Sequence, residues 1–320
     1  MENKLRIVFF GTPEFAVSSL DILVKNNYDV AAVVTAPDKP AGRGLELKFS
    51  AVKEYAGQKG LKILQPENLK DENFIRQLKE LNPDLQIVVA FRKLPKEVWS
   101  FPAKGTFNLH ASLLPHYRGA APINWAIMNG EKESGVTTFF LDEEIDTGKI
   151  IMRAKENIRE EDSAGDLYDR LMKDGADLVL KTVRAIEVGN YTPESQSMLL
   201  KPNEKIKSAP KIFKDDCKID WNKRSEEIYN FIRGLSPYPT AWTELKKENE
   251  TVSLKIFRSA KEVSEHQLNS GAIATDGKLF AKVAVKDGYI YLKELQLAGR
   301  KKMNIEEFLR GFSFEGWQIN

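Results

Sequence analysis

Apolar and polar positions follow one rhythm through the first 190 residues and another through the last hundred. Leu5–Phe10 is nearly unbroken apolar sequence, the pattern of a strand buried on both faces. It ends at Gly11-Thr12-Pro13-Glu14, where Thr12 is placed to cap a helix whose first position is Pro13. Phe15, Val17, Leu20, Leu23 and Val24 supply the helical stripe. The second apolar run, Val30–Val34, completes a βαβ unit and with it a parallel sheet. The pattern then repeats. Helices are predicted near Ala51–Lys59, Asp71–Leu81 and Pro95–Ser100, and strands at Lys62–Leu64, Leu85–Ala90 and Gly105–His110. Five strands joined by helices predict a doubly wound sheet, whose ligands sit at the carboxyl ends of the strands.

A helix at Pro122–Asn129, strands at Val136–Leu141 and Lys149–Arg153, and a long amphipathic helix over Ser163–Glu187 continue this half. Ser163 and Asp166 are spaced as a capping box. A polar stretch with Pro193, Pro202 and Pro210 follows and reads as an interdomain linker from about residue 190. Beyond a helix at Ser225–Ile232 the rhythm changes to short strands at Ala241–Leu245, Ser253–Arg258, Gly271–Thr275, Leu279–Val285 and Tyr289–Leu297. Asp276-Gly277 and Asp287-Gly288 give hairpin signals between them. A small closed antiparallel barrel is the predicted arrangement, of a kind that often binds nucleic acid or sugars. The expected division is 1–206 and 207–320.

Within the first half, one stretch carries chemistry. In Phe107-Asn108-Leu109-His110, the amide and the imidazole lie two positions apart on a strand and share a face at its carboxyl end. Ala111-Ser112-Leu113-Leu114-Pro115-His116-Tyr117-Arg118-Gly119 then breaks into a loop. Asp146, between two predicted strands and followed by Thr147-Gly148, is the third polar group. An amide donor stabilises an oxyanion, an imidazole supplies a proton or positive charge, and a carboxylate orients it or accepts a proton. The trio suits acyl transfer to an amine. No Ser or Cys nucleophile stands on a recognisable elbow, which favours direct attack over a covalent acyl-enzyme. Taken singly, a strand Asn or His also fits a structural role, and Asp146 also fits the first position of a turn.

Composition narrows the field. The chain has 320 residues, 42% hydrophobic and 29% charged, with a mean hydropathy of −0.40. No run approaches the roughly 20 apolar residues of a membrane span. The N-terminus passes directly into the first strand, with no room for a signal peptide. One cysteine, Cys217, rules out an internal disulfide, and three histidines beside it argue against a zinc cluster. A reducing cytoplasm is the expected setting. Gly-x-Gly-x-x-Gly is absent after the first strand, so nicotinamide dinucleotide use is disfavoured. Net charge is only +2, but residues 201–320 hold 22 basic against 17 acidic side chains, and residues 1–200 hold 26 against 29. A mildly basic second half is compatible with a polyanionic partner. The loop Ala36–Lys48, with Lys39, Arg43 and Lys48 among two prolines and two glycines, reads as irregular and functional.

Asn108-Leu109-His110-Ala111-Ser112-Leu113-Leu114-Pro115 followed by Tyr117-Arg118-Gly119-Ala120-Ala121-Pro122 resembles the signature of folate-dependent formyltransferases. Asp146-Thr147-Gly148 is similar to that family's second motif. Phe10-Gly11-Thr12-Pro13-Glu14-Phe15, the loop Pro37–Gly44 and Ile219-Asp220-Trp221 resemble the branch that works on transfer RNA. The resemblance runs essentially end to end. It implies a doubly wound, Rossmann-like α/β formyltransferase domain followed by a small OB-like antiparallel β-barrel domain. It also implies transfer of the formyl group of 10-formyltetrahydrofolate to the α-amino group of methionyl initiator tRNA. The expected state is a monomer, with no metal and no membrane partner. On the matching positions, Asn108, His110 and Asp146 become the catalytic trio and Ser112, Leu113, Leu114 and Pro115 a folate-contacting turn. Arg43 becomes a tRNA contact. Rival readings are a family member acting on an amino-sugar nucleotide or glycinamide ribonucleotide, and a catalytically silent RNA-binding protein on the same fold. The family's Ala-Tyr-Gly-x-Ile-Leu-Pro after the fourth strand is replaced here by Ala90-Phe91-Arg92-Lys93-Leu94-Pro95, so its pterin contacts do not carry over. His116 receives no role.

Overall fold

The computed structural model describes residues 4–41 and 46–319, with the backbone alone at 40–41 and 46–47. The chain divides into two compact units. One holds the residues up to 119 with 134–156 and 168–208, and the other holds 120–133, 157–167 and the residues from 209 onward.

The first 110 residues run β1 (Arg6–Gly11), α1 (Glu14–Lys25), β2 (Asp29–Val34), β3 (Lys39–Ala41), β4 (Glu46–Lys48), α2 (Ala51–Gln58), β5 (Ile63–Leu64), α3 (Glu72–Glu80), β6 (Leu85–Val89), α4 (Lys96–Trp99) and β7 (Thr106–His110). After β8 (Arg118–Gly119) and α5 (Pro122–Met128) come β9 (Glu133–Phe140), β10 (Ile150–Asn157) and α6 (Ala164–Val188). Seven strands form one sheet in the order β10-β9-β7-β6-β1-β2-β5. The five from β5 to β7 are parallel, and β9 runs antiparallel to β7. The doubly wound expectation is met. On one face Val8, Phe10 and Val88 pack with Phe74, Leu78, Leu94 and Val98 from the α3 and α4 region. On the other, α6 is drawn close to β7, since a Cβ on Gly175 would lie 2.8 Å from a Leu109 methyl. The Thr138 and Thr182 hydroxyls meet at 2.8 Å between β9 and α6. These layers leave Asn108 and His110 on the face opposite Leu109, at the end of a central strand.

Two local expectations fail. Thr12 does not cap α1: Pro13 occupies the cap position in extended backbone, and its carbonyl accepts the Ala16 N–H. With ψ at 175°, Pro13 stands just outside the helix, and Glu14 is its first residue. The loop Ala36–Lys48 is not wholly irregular either. β3 and β4 pair as an antiparallel ladder with Lys39 opposite Lys48, a pattern that the local proline and glycine content disguises.

In the second unit the strand content is as expected in kind and larger in extent. β11 (Ser208–Ala209) precedes α7 (Ser225–Gly234), followed by β12 (Ala241–Lys247), β13 (Glu250–Val263), β14 (Ile273–Thr275), β15 (Ala281–Val285) and β16 (Gly288–Leu297). β17 (Met303–Asn304), α8 (Ile305–Gly311) and β18 (Gln318–Ile319) close it. The order β14-β15-β16-β13-β12-β18, with β17 paired to β16, gives a nearly closed antiparallel barrel-like sheet. Both hairpin signals hold. The Asp276 carboxylate accepts the N–H groups of Lys278, Leu279 and Phe280, and Gly288 is required because a Cβ there would lie 1.9 Å from the Glu262 carbonyl. Helix α8 has no clear signal in the sequence pattern; Phe308 and Leu309 bury it in the barrel core.

Trp221, 4% exposed, fills that core beside Ile228, Leu254 and Leu295, and its indole N–H donates to the Thr243 hydroxyl at 3.0 Å. Trp221→Ala should cost this unit about 3–5 kcal/mol, the usual range for deleting a buried large aromatic. Denaturant unfolding checks this, and a loss below about 1 kcal/mol would show that Trp221 is not a core residue.

Candidate active site

β7 delivers Asn108 and His110 on one face because its side chains alternate, and pairing with β6 and β9 fixes their height. Val88 and Phe139 lie opposite Asn108, and Thr137 lies opposite His110. Asn108 is partly exposed, and its amide has no hydrogen-bond partner among the described residues. His110 is only 7% exposed. Its Nε2 lies 2.8 Å from the Tyr117 carbonyl oxygen. A carbonyl can only accept, so that nitrogen carries the hydrogen and, in the neutral ring, Nδ1 presents its lone pair. Nδ1 faces the Asp146 carboxylate, with Oδ2 at 3.8 Å.

The loop from 141 to 149 brings Asp146 to this position without regular secondary structure. Asp146 itself sits at φ 58°, a left-handed conformation that aspartate tolerates better than most residues. Its Oδ2 accepts the Gly119 N–H at 2.9 Å. Gly148 lets the loop rejoin the sheet, because a Cβ there would stand 1.7 Å from the Phe140 carbonyl oxygen. Thr147 donates to Asp142 at 2.6 Å. On the outer side, the Lys93 ammonium donates to the Glu143 carbonyl at 3.0 Å and Lys96 pairs with the Glu143 carboxylate at 2.6 Å. That contact holds the Glu143 carboxyl below its usual range. The atypical segment after β6 therefore braces the Asp146 loop. Its Arg92 reaches the carbonyls of Pro66 and Glu67, and its Leu94 is buried.

Ser112, Leu114 and Pro115 are buried, and Leu113 is the partly exposed residue of that turn. The Ser112 hydroxyl donates to the His116 carbonyl at 2.7 Å. Thr137 holds the turn from β9, donating to the Ser112 carbonyl at 2.6 Å and accepting the Leu114 N–H at 3.2 Å. The buried side chains of the turn thus serve packing, and Leu113 keeps the one partly exposed side chain. Leu113 also lines a cleft of about 360 Å³ with Met152, Arg153, Lys155, Thr192 and Glu194.

The polar stretch after α6 does more than connect. Glu194 bridges to Ile150, and Leu199 packs on Leu114, Phe139 and Ile150. Gln196 donates to the carbonyls of Asp146 and Gly148 and accepts from Arg118. Glu204 meets His116 Nε2 at 3.2 Å, while the Lys207 N–H donates to Nδ1, which assigns the remaining hydrogen to Nε2. A hydrogen bond from the Lys201 N–H, together with His116, keeps the Glu204 carboxyl below its usual range. Nothing in the periodicity of this stretch signals these contacts. Arg43 lies outside the described residues. The stem of its loop is fixed by Asp38, which pairs with Lys53 and accepts from Gln65 at 2.8 Å, and these two partners hold its carboxyl low.

A formyl transferase family model matches residues 5–183, and a model of the formyl transferase C-terminal domain matches residues 211–313. A methionyl-tRNA formyltransferase of Flavobacterium johnsoniae is 55% identical over 312 residues, covering 98% of this chain and 98% of that protein. One from Phocaeicola vulgatus is 56% identical over 315 residues, covering 98% and 97%. Among solved structures, an N-formyltransferase from Helicobacter canadensis in complex with folinic acid and dTDP-3-aminofucose has a TM-score of 0.63 at 24% identity. It covers 93% of this chain and 100% of that one, a likeness of fold alone.

The brace on the Ser112–Pro115 turn is directly testable. Thr137→Val keeps the shape and removes the hydroxyl, leaving the Leu114 N–H and the Ser112 carbonyl each short of a partner. The expected cost is about 1–3 kcal/mol for each buried group left unpaired. Chemical denaturation measures it; unchanged stability would show that Thr137 does not hold the turn.

Proposed function

We propose that this chain, which belongs to the formyl transferase family, transfers the formyl group of 10-formyltetrahydrofolate to the α-amino group of methionyl initiator tRNA. The observation that carries the reading is identity above one half, over nearly the whole of both proteins, with relatives named for that activity. An amino-sugar or glycinamide ribonucleotide acceptor is not favoured, because that identity extends through the barrel as well as the formyltransferase half. In this reading, residues 1–206 carry the chemistry and residues 207–320 bind tRNA, in a cytoplasmic monomer.

The reaction forms a bond between the amine nitrogen and the formyl carbon, breaks the bond from that carbon to N10 of the folate, and moves one proton from the amine to N10. Asn108 has an unengaged amide N–H to place on the oxygen that becomes negative in the tetrahedral intermediate. His110 Nδ1 and the Asp146 carboxylate, 3.8 Å apart, are the groups that take up the amine proton and return it. Free α-amines titrate at about pH 8, so modest base assistance suffices to keep the nucleophile neutral. The backbone of Ser112–Pro115 and the Leu113 side chain contact the folate. Arg43 and the basic barrel engage the nucleic acid, with an affinity that falls as salt rises.

Incubation with 10-formyltetrahydrofolate and charged initiator tRNA should yield formylmethionyl-tRNA; no product at any salt concentration would overturn the reading. His110→Ala and Asp146→Ala should each lower the single-turnover rate by about 10²–10⁴-fold, the range for general acid–base groups, with tRNA binding little changed. Equal losses of rate and binding would contradict the assigned roles. Arg43→Ala should weaken tRNA use while folate binding stays intact, and unchanged kinetics across a salt series would remove Arg43 from the interface.

A further inference from the structure

The Gln196 side chain is 3% exposed and lies in a stretch that otherwise looks like connecting chain. All four of its hydrogen-bonding positions are occupied. Nε2 donates to the Asp146 carbonyl and to the Gly148 carbonyl, each at 2.9 Å. Oε1 accepts from Nε and Nη2 of Arg118, at 3.1 and 2.7 Å. The amide's orientation is settled by its neighbours, since carbonyls only accept and a guanidinium only donates. One side chain thus joins the backbone of the 146–148 turn, with Asp146 at φ 58°, to the guanidinium of Arg118. The next residue after Arg118 is Gly119, whose N–H grips Oδ2 of Asp146.

We propose that Gln196 is a positioning residue for the reaction, acting through Asp146 by fixing the carboxylate's height and direction against His110 Nδ1. The inference rests on the reading of Asp146 as catalytic. A rigid amide suits this task because the left-handed turn has no helix or ladder to stabilise it. Misplacement of a reacting group by about 1 Å can cost about 10²-fold in rate. No other side chain supplies both halves of the contact. A glutamate would set its carboxylate against two carbonyls, an asparagine is one methylene short, and a methionine has the length but neither donor nor comparable acceptor.

The test is a double-mutant cycle on the full chain, read as kcat and KM for formylation of methionyl initiator tRNA. Gln196→Met should lower kcat by about 10- to 100-fold with KM for both substrates within about twofold. Gln196→Glu, which keeps an acceptor for Arg118, should lose comparably because the two donors to the turn are gone. In the Asp146→Asn background, Gln196→Met should cause no further loss, since a residue that acts through Asp146 has nothing left to position. Should Gln196→Met fail to fold, Gln196→Glu carries the same comparison. Losses that add in the double variant, or a rise in KM with kcat unchanged, would overturn the proposal. Asp146→Asn with full activity would instead overturn the reading of Asp146, and Asp146→Asn inactive beside fully active Gln196 variants would overturn the role of Gln196 alone.

Discussion

The site depends on holding one carboxylate against the end of a buried strand from a loop with no regular hydrogen-bond ladder. β7 needs no such help. It is central in a sheet, paired on both sides, and alternation alone aims Asn108 and His110 together. Asp146 arrives from the connection between β9 and β10 in a conformation that its own backbone does not favour. Three sets of contacts compensate for this. Gly119 binds the carboxylate, Gln196 binds the backbone, and Lys93 with Lys96 ties down the neighbouring Glu143. Gly148 completes the arrangement because nothing larger fits beside the Phe140 carbonyl.

The same economy governs the turn from Ser112 to Pro115. Ser112, Leu114 and Pro115 are buried, so the motif's side chains shape the turn from inside. Thr137, directly across the ladder from His110, pins that turn through two hydrogen bonds. His110 and the Ser112–Pro115 turn are therefore set by one register between two antiparallel strands. A slip of one residue in β9 would turn Thr137 to the other face of the sheet and release the turn.

Much of this was legible in the sequence where periodicity reports burial. The parallel strands of the first half and the hairpin signals of the second appear at the expected places, because apolar runs and Asp-Gly turns reflect local physics. Asn108 and His110 were visible for the same reason, and Asp146 through its turn and the family's motif. The illegible parts are those decided by distant partners. Gln196, Thr137 and the Gly119 N–H leave no periodic trace, since each acts through partners far away in the chain. The polar composition around Gln196 even points the other way, toward a linker. Helix α8 was hidden because its stripe is brief and its burial depends on the barrel. The brace formed by Phe91–Leu94 was unreadable because the segment departs from the motif that would have guided its interpretation.

The backbone fixes the His110 imidazole in one tautomer, with Nε2–H committed to the Tyr117 carbonyl and Nδ1 facing Asp146. Nitrogen-15 spectra of the ring, with His110 assigned by its disappearance in His110→Ala, report that directly. In the neutral ring Nε2 is expected to be protonated and Nδ1 to carry the lone pair. A neutral ring carrying its hydrogen on Nδ1 would contradict it.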